Sequence, residues 1–114
     1  MPRKPRDAAP QVYTLLVDLG RQPGDPLPDG ATGAGLLVYA PGTTEAEAVR
    51  ETVALLKTAG MQALDVTSYG TLAERESAGD TVPEEERALM ARALDEDVVI
   101  VAQKTWFGDE DDDE

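Results

Sequence analysis

Between Gln11 and Lys104 the spacing of apolar residues switches from two to about 3.6 and back, twice. A chain with that alternation cannot fold as all helix or all sheet. It must bury strand faces against helix stripes.

The first period-two run is Gln11 to Leu19. Tyr13, Leu15, Val17 and Leu19 fall on one side, Val12 and Leu16 on the other. Ala34 to Ala40 is a second strand, stopped by Pro41-Gly42. Thr44 and Glu47 then have the spacing of a capping box, and a helix is expected from about Glu45 to Ala59. Its stripe is Ala46, Val49, Val53, Leu56 and Gly60, with Leu55 beside it, and Gly60 is a suitable stop. Gln62 to Tyr69 is a third strand. Thr81 and Glu84 repeat the capping-box spacing, with Pro83 in the first turn, and open a helix to about Leu94. Val98 to Lys104 closes the series. Its Val-Val-Ile-Val-Ala run is apolar on both sides, which predicts an internal strand or one covered on both faces. Thr71 to Ser77 fits either a short exposed strand or a loop.

The expectation is an α+β domain. It has a four- to five-stranded mixed sheet with two helices on one face: a ferredoxin-like sandwich with an extra N-terminal strand. The alternative is an open α/β sheet without a strand at 71–77. Residues 1–10, with three prolines and four charges, read as a flexible arm, 11–107 as a single domain, and 108–114 as a disordered acidic tail.

Chemistry is limited by what is missing. The chain has no histidine and no cysteine, and 23 acidic residues stand against 10 basic ones, for a net charge of −13. No imidazole base, thiolate nucleophile or ordinary zinc site can be built. Six of the charges lie in Asp109 to Glu114, and the body remains at −7. Nucleic acid and anionic membrane surfaces are therefore poor partners, and a basic protein is a better one. No apolar run approaches the roughly 20 residues of a membrane span, and a cytoplasmic protein is the expectation.

Each remaining motif has a bland reading that outweighs the chemical one. Gly30-Ala-Thr-Gly33-Ala-Gly35 has the wrong glycine spacing for a dinucleotide fingerprint and precedes a strand instead of following one. The acidic tail lacks the ordered loop a calcium site needs. Asp18 and Asp65 lie on or near strand ends, but nothing in the sequence brings them together. Neither Ser68 nor Ser77 sits in a nucleophile elbow. No cofactor, metal or catalytic residue is assigned, and the chain reads as a non-enzyme.

The leading expectation is a protein-binding module that self-associates. Two helices on one face would leave the other bare, and a bare apolar face is commonly buried by oligomerisation. The candidate interface is Val12, Leu16, Leu37 and Tyr39, with Trp106-Phe107 either capping the core or anchoring a partner. One alternative is an inhibitor acting by negative charge, of the immunity or nucleic-acid-mimic kind. The other is a small-ligand protein or enzyme using the loop at 20–33, where three prolines and four glycines fall in 14 residues. That composition also predicts a mobile loop. Because the tail's charges repel one another, deleting 109–114 should leave the melting temperature equal or slightly higher. A fall of many degrees in a thermal scan would show that the tail is docked.

Overall fold

A computed structural model of the chain describes residues 9–108. The order is β1 (Gln11–Gly20), β2 (Ala31–Gly42), α1 (Glu45–Thr58), β3 (Gln62–Thr71), α2 (Leu72–Ser77), α3 (Glu84–Glu96) and β4 (Ile100–Gly108). The expected arm lies outside the described residues apart from Ala9 and Pro10, and the expected tail apart from Gly108, which ends β4.

The fold is α+β, with one four-stranded sheet in the order β3-β1-β2-β4 and three helices. Every strand pair is antiparallel, so the sheet is not mixed. β1, expected as an extra N-terminal strand, is not an addition to a sheet made by the other strands. It is central, paired with β2 on one side and β3 on the other.

The helices are also not on one face. Tyr13, Leu15, Val17 and Leu19 of β1 share a face with Ala34, Leu36, Val38 and Ala40 of β2, and α1 packs there through Ala48 and Leu56. Val12, Tyr39 and Leu37 turn to the opposite face, where α3 packs through Leu89, Met90 and Ala93. The connections account for this. α1 links β2 to β3 over the first face. The chain then stands at one edge of the sheet and must return to the other, and α2 and α3 make that journey over the second face.

Residues 72–77 form a helix, neither strand nor loop. Thr71 accepts from the Glu74 N–H at 3.2 Å, and the Glu74 carboxylate accepts from the Thr71 N–H at 2.9 Å. This reciprocal box satisfies two otherwise orphaned donors. The box expected at Thr81–Glu84 does not form. α3 starts after Pro83 with no side-chain cap. At α1, Thr44 caps Glu47 as its spacing implied, while the Glu47 carboxylate reaches back to the Thr43 N–H and hydroxyl. Leu55, placed beside the α1 stripe, is 45% exposed, and the buried positions are Ala48, Thr52 and Leu56.

The loop between β1 and β2 is tied to the rest of the fold by one buried side chain and a set of hydrogen bonds. Leu27 inserts into the first-face core. The Arg21 guanidinium donates to both Asp25 oxygens at 3.1 and 3.0 Å and to the carbonyls of Pro28 and Ala31. Gln22 donates to the Gly60 carbonyl at the end of α1. β4, expected to be internal or covered on both faces, is an edge strand beside β2, and Val101 is exposed.

Candidate functional site

α3 covers only part of the second sheet face. Its buried contacts run through Met90 and Ala93 onto Val12 and Tyr39, near the start of β1 and the end of β2. Towards the other end, around Asp18 and Gly35, no helix among the described residues lies over the sheet. A groove of about 280 Å³ is left there, lined by Leu16, Asp18, Gly35, Leu37, Gln103 and Phe107 among others. The Phe107 ring lies against Gly35. A Cβ at that position would meet the ring Cζ at 3.2 Å, so glycine is what lets the ring sit down on the sheet.

The six candidate interface residues divide accordingly. Leu16 and Leu37 are half-buried in the groove and Phe107 is 44% exposed beside them. Val12 and Tyr39 are not surface residues: α3 buries them, and Tyr39 is fully enclosed. Trp106, next to Phe107 in an extended strand, points to the opposite face. There the Lys104 ammonium lies 6.0 Å from the centre of its ring. Trp106 and Phe107 therefore cannot act as one anchor.

Asp18 and Asp65 do come together. They are direct partners across the β1–β3 pair, and both are exposed. Like charges directly opposite in a sheet are unfavourable. Among the described residues no group of three or more acidic side chains gathers as a metal site would require. The pair marks the groove's end of the sheet as acidic.

A second cluster went unseen in the sequence because it depends on α2. Arg75 donates to the Thr14 hydroxyl at 3.1 Å, to Glu86 at 3.3 Å and to Asp80 at 2.8 Å, and the Tyr39 hydroxyl donates to the same Glu86 oxygen at 2.7 Å. Burial first, then the bond to Glu86, pushes the Tyr39 pKa up to about 12. Burial alone would lower the Arg75 pKa, but the bonds and charges of Asp80 and Glu86 outweigh it and raise it above its ordinary value. Both groups keep their protons near neutral pH, so neither serves as a base. The cluster ties β1, β2, α2 and α3 together across the second face. The Thr71-x-x-Glu74 spacing, the same pattern read at the other two helices, was the signal that could have revealed it.

A family match spans residues 12–108, from the second residue of β1 to the last of β4, and the family is described as a domain of unknown function (DUF8846). No curated protein and no solved structure matches the chain.

Proposed function

This chain belongs to the DUF8846 family, and from its geometry we propose that it is a non-catalytic protein-binding module that self-associates through the uncovered end of its second sheet face. One observation carries the reading. Leu16, Leu37 and Phe107 converge on a groove that no helix or strand among the described residues covers. Apolar side chains gathered on a sheet face gain about 25 cal/mol per Å² when water is removed. A second copy offers the same surface, and a two-fold pairing makes such a patch self-complementary. Tyr39 and Arg75 of the neighbouring polar cluster both hold their protons near neutral pH, which favours a structural role for them over acid–base catalysis.

Light scattering across a concentration series tests the proposal. The expected mass at high micromolar concentration is twice the 12.2 kDa of one chain. Phe107→Glu places a carboxylate in the groove and should return the protein to monomer with its circular dichroism spectrum unchanged. A wild-type protein that stays monomeric at that concentration sinks the reading, as does an oligomer indifferent to the substitution.

A further inference from the structure

The groove continues past Leu37. That residue also lines a second cavity, of about 230 Å³, bordered by Thr14, Tyr69, Arg75, Asp80 and Glu86. Leu37 pairs with Leu16, which lies between Thr14 and Asp18 on the same face of β1. The two hollows therefore follow one strand. From Thr14 to Asp18 is about 13 Å at the rise of a strand.

Carboxylates stand at both ends of this track. At one end Asp18 and Asp65 are direct partners, both exposed, and neither has a counter-charge among the described residues. At the other end Asp80 and Glu86 share the single charge of Arg75. Arg75 and Tyr39 occupy one oxygen of Glu86, and Arg75 occupies one of Asp80. Among the described residues nothing donates to Glu86 Oε2 or Asp80 Oδ1. Negative charge is thus in excess at each end. Between the ends lie Leu16 and Leu37, with the rings of Phe107 and Tyr69 beside them, 44% and 51% exposed. The β1–β3 register slips between Thr14 and Leu15, opposite Tyr69, and a bulge of this kind re-aims the side chain it carries.

A compact cation reaches only one end. A methylene chain carrying ammonium groups along its length reaches both, and it lies on apolar and aromatic surface in between. We propose that the second sheet face binds a linear aliphatic polyamine, extended between the Asp18–Asp65 pair and the Asp80–Glu86 pair. An ammonium group there offsets the repulsion between Asp18 and Asp65, which is unfavourable by itself. The site shares the groove with the self-association reading but does not rest on it. A polyamine and a second copy would compete for Leu16, Leu37 and Phe107.

Isothermal titration calorimetry on the full chain at low micromolar concentration tests it, with spermidine and hexaamminecobalt(III) as probes. The two cations carry equal charge, but only spermidine has an alkyl chain. Spermidine should bind on the order of tenfold more tightly, because partial burial of its methylenes adds to the charge attraction. Asp65→Asn should weaken spermidine binding about threefold, the effect of one exposed charge. Asp95→Asn, on α3 and outside both cavities, should change it little. Equal affinity for the two cations, or equal loss in the two variants, would mean attraction to an acidic chain as a whole and would overturn the proposal. So would absence of binding. Light scattering on the free protein decides the self-association reading separately: a monomer at every concentration sinks that reading and leaves the polyamine site standing.

Discussion

Arg75→Met should lower the melting temperature by on the order of 10–20 °C, the largest effect expected of any single polar substitution in this chain. The Arg75 side chain is only 12% exposed and joins Thr14, Asp80 and Glu86. Methionine fills much the same volume but leaves Glu86 without its counter-charge and the buried Thr14 hydroxyl without its donor. Breaking a fully buried pair costs about 3–5 kcal/mol. Here Glu86 and Asp80 keep 29% and 46% of their side-chain surface, so water offsets part of the loss and about 2–3 kcal/mol remains. Asp80→Asn should cost much less, because that partner is the more exposed. A change within about 2 °C for Arg75→Met, read by calorimetry, would show that the cluster does not hold α2 and α3 to the sheet.

Leu27→Ala should destabilise the protein by about 2–4 kcal/mol, as truncation of a buried leucine does. For a residue in a stretch dense in proline and glycine, that is a sharp expectation. It rests on Leu27 being 6% exposed within the first-face core. Exchange of the amides between β1 and β2 should quicken in the same variant. A loss below about 0.5 kcal/mol, the range of ordinary surface substitutions, would mean that the loop is not packed.

The loop should also respond to acid. The Gln22 N–H, and after it the Arg21 side chain and the Leu27 N–H, hold Asp25 below the usual carboxylate range against the opposing effect of its burial. A carboxyl with a lowered folded-state pKa stabilises fully above its unfolded value of about 3.9 and loses that contribution as pH falls through the folded value. Release of the loop is therefore expected only below about pH 4, and hydrogen exchange or limited proteolysis in that range would register it.

Much of this fold is written in short-range patterns. The period-two runs place β1, β2 and β3. The Thr44–Glu47 spacing places the start of α1, and Gly60, with φ of +82°, stands just past its end. These features need only neighbours within one or two turns, so residue order alone reveals them. The box at Thr71–Glu74 belongs to the same class and was equally legible. The three charges between Leu72 and Ser77 drew the reading towards an exposed strand or loop.

Tertiary structure alone decided how those elements face one another. Val12 and Leu16 lie on one face of one strand, yet α3 buries the first and leaves the second beside an open groove, because a 13-residue helix spans only part of that face. Val98 to Lys104 reads as a strand that is internal or covered on both faces because apolar composition reports burial without reporting pairing. β4 lies at the edge because the chain crosses the whole sheet from β3 to reach it. Asp18 and Asp65, 47 positions apart, became direct partners through the β1–β3 register, and Arg75 met Thr14 across 61 positions. The sequence determined the elements and most of their boundaries, since those depend on local periodicity and capping. The tertiary fold decided which faces are covered, which strands lie at the edges and which charges meet, since those depend on crossovers and register between residues far apart in the chain.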